Sequence, residues 1–181
     1  MRVLILNDRV TAADGPDGRD VLDQAAAVTG ALTTLGHTVD RLDCDLDLAA
    51  LATELRQRQP ELVFNLVESL AGSGRLIHLV PACLETLGVP YTGCRADALL
   101  LTSNKLLAKR WLQGAGLPVP AWVEPGDDDL PAGTADWIVK SVWEHASIGL
   151  DANSLVRGRD GRAVRELLPE RARRLGGVCF A

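Results

Sequence analysis

Long apolar runs are missing from this chain. None approaches the roughly 18 residues that a membrane-spanning helix requires. The N-terminal Met1-Arg-Val-Leu-Ile-Leu6 is too short for a secretory leader and runs straight into Asn7-Asp8. Cysteine and histidine at metal-ligand spacing are missing as well. Cys44, Cys83, Cys94 and Cys179 form no Cys-x-x-Cys pair, and no histidine stands at ligand distance in sequence. That pattern argues against zinc and fits the reduced thiols of a cytoplasmic protein. A basic surface is absent: 19 Lys and Arg against 24 Asp and Glu leave a net charge of −5. This balance argues against general nucleic-acid binding. The phosphate-loop motif Gly-x-x-x-x-Gly-Lys-Ser/Thr occurs nowhere. Gly72-Ser-Gly74 follows an apolar run, but the third glycine of a dinucleotide fingerprint would fall at Ile77.

What remains is the composition of a soluble globular protein, 47% hydrophobic and 24% charged over 181 residues. That is enough to bury a core in one domain or two small ones. Val3 to Leu6 reads as a first buried strand, followed by a loop rich in Asp, Gly and Pro from Asn7 to Arg19. Val21, Leu22, Ala25, Val28, Leu32 and Leu35 then recur at helical spacing, and Gly36 ends the helix. His37 to Leu42 is a second strand, Leu48 to Gln59 a second helix stopped by Pro60, and Leu62 to Val67 a third strand. Strands alternating with helices of this length predict a parallel sheet with helices on its faces. The stripe from Leu76 to Leu87 is helical, with Pro81 marking either a late start or a kink.

The character changes at Ala96, so the pattern divides the chain into 1–95 and 96–181. In the second part Ser103 is placed to cap a helix from Asn104 to Ala115, with Lys105 in its first turn. Val119 to Val123 reads as a strand, Asp127-Asp-Asp129 as a solvated acidic tip, and Ser154 to Val156 as a strand. Arg162 to Leu175 is a helical stretch interrupted by Pro169, and its many arginines read as a solvated face or a phosphate-facing patch. Val178 to Phe180 starts another strand, so the chain reads as cut short.

The stretch Asp136-Trp-Ile-Val-Lys140 carries the most chemistry. Trp137, Ile138 and Val139 read as a buried strand, and Lys140 stands where that strand leaves the core. An ammonium at the mouth of an apolar crevice can hold a phosphate; it is also what an ordinary exposed strand-end lysine looks like. The following Ser147-Ile-Gly149 can bend over it and offer backbone N–H groups. Lys105 sits in a helix first turn, where the macrodipole mildly disfavours a cation.

These residues, in order, resemble a known family. Phe64 to Glu68, Gly72-Ser-Gly74, Leu87 to Gly93, Leu101 to Arg110, Gly116 to Pro120, Ile138 to Lys140 and Ala146 to Gly149 are similar to the D-alanine–D-alanine ligase branch of the ATP-grasp superfamily. The resemblance covers essentially the whole chain. It implies an α/β protein: a parallel-sheet, Rossmann-like pre-ATP-grasp domain at 1–95, then the first, α+β half of an ATP-grasp fold at 96–181. It implies nucleotide-binding roles for Lys105, Ile138, Lys140, Glu144, Ser147 and Gly149. It also implies a substrate-side role for Glu68, with Asp20 the nearest counterpart of the family's N-terminal glutamate. Ser141 stands where the family has proline, His145 where it has glycine and Ala146 where it has serine. Val67-Glu68-Ser69 replaces a His-Gly pair. These departures leave the carboxylate and amine substrates open.

The implied reaction joins a carboxylate to an amine through an acyl phosphate at the expense of ATP. Magnesium is implied as well, with its ligands expected beyond Ala181, so the chain as given is expected to lack a complete catalyst. A non-catalytic nucleotide-binding or scaffold protein keeping half of the fold is the alternative. A small amino-acid-like or peptide substrate and a homodimer are further implications.

Overall fold

The computed structural model describes residues 1–10, 16–127, 136–145, 150–157, 161–175 and 177–181. It divides into two compact units, Met1–Leu100 and Leu101–Ala181. The first unit therefore keeps Ala96–Leu100, which the sequence pattern assigns to the second part.

The first unit is built on β1 (Arg2–Asp8), α1 (Pro16–Thr34), β2 (Thr38–Cys44), α2 (Leu48–Arg58), β3 (Leu62–Asn65) and α3 (Leu79–Thr86). The three strands form a parallel sheet in the order β2-β1-β3. β1 is central, and Val3, Leu4, Ile5 and Leu6 are all buried. A continuous apolar run is what a strand covered on both faces needs. Leu4 and Leu6 meet Leu51, Leu55, Val80 and Leu84 in one core cluster. α1 packs on β1 and β2. Gly36 ends α1 at φ +83°, a left-handed position that glycine takes without cost. α2 stops one residue earlier than the pattern suggests. Gln59 turns left-handed and its N–H bonds back to Leu55 O, so the break precedes Pro60. The late start at Pro81 is the alternative realised. Pro81 is the third residue of α3, where an N–H has no intrahelical partner to lose.

α4 (Ala96–Ser103) spans the boundary between the units. The second unit continues with α5 (Lys105–Gly114), β4 (Asp136–Ile138), β5 (Lys140–Ser141), β6 (Leu155–Arg157), α6 (Gly161–Leu175) and β7 (Cys179–Phe180). β4 pairs antiparallel with β6, and β5 with β7. Val123, Trp137, Val139, Val156, Val164 and Leu168 form its main core. The fold is thus mixed α/β, a parallel sheet followed by a small antiparallel α+β unit.

Several local expectations are corrected. Asn104, not Ser103, caps α5: its Oδ1 accepts from Leu106 N at 3.1 Å and Leu107 N at 3.0 Å. Ser103 closes α4 instead and is buried. Val119 to Val123 is not a strand. Pro118 and Pro120 have no N–H to give a ladder. Only Val123 pairs, exchanging bonds of 2.8 and 3.0 Å with Ala181. Ser154 belongs to a 3-10 turn capped by Asp151, so β6 begins at Leu155. α6 runs through Pro169 without interruption, with Val164, Leu168 and Arg171 buried along one face at i, i+4 and i+7. Arg171 departs from the solvated face: it is 1% exposed and pairs with Asp151, which also receives Arg174 at 3.1 Å. Asp128 and Asp129 of the acidic tip lie outside the described residues. Among the described residues no helix is long and apolar enough to cross a membrane.

Candidate functional site

The site of the second unit follows from strand alternation. Trp137 and Val139 are buried in the core, while Asp136 and Ile138 are exposed and Lys140 is half-buried. Side chains two apart along extended backbone share a face. Ile138 and Lys140 therefore stand together on the side away from the core, on the wall of a cavity of about 450 Å³. The opposite contribution comes from α5. Lys105, Ala108, Lys109 and Leu112 also line this cavity, at the i, i+3, i+4, i+7 spacing of one helix face. Phe180 of β7 lines the cavity as well.

Lys105 is tied to the strand side twice. Its backbone N–H donates to Val142 O at 3.1 Å. Its ammonium donates to the backbone carbonyl of Glu144. The turn that presents this carbonyl is fixed by Ser141, whose Oγ accepts from Trp143 N at 3.3 Å and Glu144 N at 3.2 Å. Burial pulls the Lys105 pKa below the ordinary lysine value; Glu144 opposes that shift and the Lys140 charge adds to it. Lys109 is pulled down for the same two reasons, burial first and then Lys140. The Lys140 ammonium makes no hydrogen bond or ion pair among the described residues. The wall sets ammonium groups beside apolar surface, an arrangement that can take an anion.

Of the residues singled out in sequence, Lys105, Ile138 and Lys140 line one cavity, and Glu144 is bonded to Lys105. Ser147 and Gly149 lie outside the described residues. Asp20 and Glu68 belong to the first unit. Gln24 Nε2 joins them, 2.9 Å from Asp20 Oδ2 and 3.4 Å from Glu68 Oε1. Sequence reasoning passed over Asp8 beside them. Its carboxylate accepts from Glu68 N at 2.8 Å and Ser69 Oγ at 2.7 Å. Burial raises its pKa above the usual carboxylate value, with those bonds pulling the other way. The cluster sits at the carboxyl ends of β1 and β3, where parallel sheets carry ligands. Lys109 was also passed over; its i+4 relation to Lys105 was the available signal. Among the described residues no group of three or more His, Cys, Asp or Glu side chains could hold a metal ion.

Comparison with known proteins agrees with this architecture. No family model matches the chain. It is 35% identical over 172 residues to a D-alanine–D-alanine ligase of Oleidesulfovibrio alaskensis, covering 92% of this chain and 52% of that one. It is 35% identical over 102 residues to a D-alanine–D-alanine ligase of Moorella thermoacetica, covering 56% of this chain and 31% of that one. The chain thus spans about half or less of the curated relatives it matches. The crystal structure of D-alanine–D-alanine ligase from Bacillus anthracis complexed with ATP superposes with a TM-score of 0.68 at 17% identity, over 99% of this chain and 57% of that one. The fold is that of the N-terminal part of an ATP-grasp ligase. Within that superfamily the chain matches the N-terminal and central portion of the D-alanine–D-alanine ligase-like branch.

Proposed function

We propose that this chain is part of an ATP-dependent carboxylate–amine ligase, with the cavity of its second unit taking the nucleotide. The observation that carries this reading is the convergence of Lys105, Lys140 and Ile138 on one cavity wall. Lys105 and Lys140 hold the phosphates and offset their charge. Ile138 and Leu112 pack against the base. The Glu144 carbonyl orients the Lys105 ammonium before ligand arrives, so less ordering is left for binding. ATP supplies the phosphoryl group that activates a carboxylate as its acyl phosphate, from which an amine displaces phosphate. Ser147 and Gly149 are assigned to the same nucleotide loop, and Asp20 and Glu68 to a small amino-acid-like or peptide substrate. Magnesium accompanies ATP through its phosphate oxygens, and the described residues build no site for it. The reading includes a cytoplasmic location, a homodimer and no nucleic-acid or membrane partner. A non-catalytic nucleotide-binding scaffold would share the cavity and differ only in turnover.

Thermal unfolding of the 181-residue chain with millimolar ATP or NAD tests this. A ligand that binds only the native state raises its stability by mass action. ATP raises the midpoint, NAD does not, and Lys140→Ala abolishes the rise. An equal response to both, or none to ATP, refutes the nucleotide reading. ATP-dependent phosphate release with candidate amino acids separates ligase from scaffold.

A further inference from the structure

At the carboxyl ends of the first sheet a side chain stands where a main-chain carbonyl is expected. β1 and β3 run parallel with Leu6 opposite Asn65, and Leu66 N donates to Leu6 O at 2.8 Å. A parallel ladder is evenly spaced, so its next bond from this strand would run from Glu68 N to Asp8 O. Glu68 N donates instead to Asp8 Oδ1 at 2.8 Å. The Asp8 carbonyl is engaged from its own strand by Asn7 Nδ2 at 2.9 Å. Asp8 Oδ2 accepts from Ser69 Oγ at 2.7 Å. Both oxygens of one half-buried carboxylate thus close on consecutive residues of the chain leaving β3. A carboxylate reaches further than a main-chain carbonyl, so the chain can turn out of the sheet and stay tied to β1.

Strand order makes position matter here. β1 lies between β2 and β3, so the chain leaves it toward one neighbour and returns on its other side. The carboxyl ends of two such strands frame the crevice where open parallel sheets hold ligands. Glu68 is exposed and its Oε1 meets only Gln24 Nε2, at 3.4 Å, among the described residues. A contact that long holds little, so the Glu68 carboxylate is aimed by its backbone. We propose that Asp8 is a positioning residue: its carboxylate supplies the last rung between β1 and the chain after β3, and that rung sets where Glu68 stands for an amino-acid-like substrate. This rests on the assignment of Glu68 to the substrate side made above. The neighbouring charges are otherwise engaged. Asp43 is held by Asn7 Nδ2 and Asp45 by Arg9, each at 2.9 Å. The Cys44 thiol is pushed up to about 12 by burial, then by Asp45 and Asp8. Burial, and to a lesser degree Glu68, raise the pKa of Asp8 itself, against the bonds from Ser69 and Glu68 N.

The test is proton–nitrogen NMR of the 181-residue chain, read at the Glu68 amide. In the wild type this amide proton moves upfield as Asp8 takes up a proton, with a midpoint above the ordinary 3.8, because a charge-assisted bond becomes a neutral one. Asp8→Asn keeps an oxygen for Glu68 N and offers Ser69 Oγ a donor. It loses most of that shift, the remainder belonging to the Glu68 carboxyl, and keeps the slow exchange of the amide with solvent. Asp8→Ala exchanges it about tenfold faster. With D-alanine and ethylamine as probes at neutral pH, Asp8→Ala binds several-fold more weakly and Asp8→Asn matches the wild type. Ser69→Ala removes a bond that favours the carboxylate, raises the midpoint further, and serves should Asp8→Ala unfold. A titration undiminished in Asp8→Asn, or an exchange rate unchanged in Asp8→Ala, overturns the rung. Equal binding of the amines by wild type and Asp8→Ala overturns the positioning role and leaves Glu68 on the substrate side. A wild-type chain whose Glu68 signals respond to neither amine overturns both.

Discussion

Lys105 and Glu144 lie 39 residues apart and are joined through a backbone carbonyl rather than a side chain. The partner of the Lys105 ammonium is therefore set by the turn at Ser141, not by the identity of residue 144. Ser141→Ala should loosen this turn, because two N–H groups lose the oxygen that accepts them. The expected cost is about 1–2 kcal/mol in urea unfolding, with a several-fold loss of ATP affinity. Glu144→Gln should leave both nearly unchanged. If Glu144→Gln is the more damaging of the two, the side chain rather than the turn holds Lys105.

Trp137 and Ile138 are adjacent in β4 and should respond oppositely to truncation. Trp137 is 3% exposed and packs in the core, so Trp137→Ala should cost about 3–5 kcal/mol. Ile138 is 39% exposed on the cavity side. Ile138→Ala should change stability by about 0.5 kcal/mol or less yet weaken nucleotide binding several-fold. Chemical unfolding and ATP titration of the two variants decide it. An Ile138→Ala chain that unfolds as easily as Trp137→Ala would mean that β4 faces the core from both sides.

The same strand shows what was legible in the sequence. The apolar run and its terminal lysine gave the strand but not its alternation: the run reads as buried throughout, whereas Ile138 is 39% exposed. In the first unit the run Val3–Leu6 and the stops at Gly36 and Pro60 gave the element order for similar local reasons, the second stop one residue late. The misses arose where a distant partner decided. Ser103 and Asn104 are equally good caps on paper, and burial of Ser103 left the role to Asn104. Val119–Val123 has the apolar content of a strand, but Pro120 interrupts the row of N–H groups that a ladder needs. Arg171 looks like its solvated neighbours until Asp151, 20 residues upstream, is brought against it. Lys109 and Asp8 were visible as residues, but the face of α5 and the packing at the end of β1 are tertiary facts.

Asp151 gives a pH signature. Hydrogen bonds from Arg171, then from Arg174, hold its carboxyl well below the usual carboxylate range. A carboxylate whose folded pKa is lowered stabilises the native state above its unfolded pKa, near 3.8, and loses that contribution as pH falls through the folded value. Asp151→Asn should therefore unfold at lower urea than wild type at neutral pH, and the gap should narrow in acid below about pH 3.8. A gap of constant size down to pH 2 would show that the loss comes from the capping bonds of the 3-10 turn alone.

The lysines give a signature in the alkaline range. Lys105 and Lys109 both release protons more readily than an ordinary lysine at 10.5, because burial and Lys140 disfavour their charged forms. For a base with a lowered folded pKa, the native state binds fewer protons than the unfolded chain in the alkaline window below 10.5, so stability rises with pH there relative to a chain lacking them. An anion in the cavity reverses this by favouring the ammonium forms. ATP binding should then take up protons at alkaline pH and weaken as pH climbs toward 10.5. Calorimetric titrations of ATP in two buffers of different ionisation enthalpy measure the uptake directly. Lys105→Met should remove part of it and the Lys105→Met/Lys109→Met double variant more. Binding with no proton uptake at any pH up to 10 would mean that the triphosphate does not approach these ammonium groups.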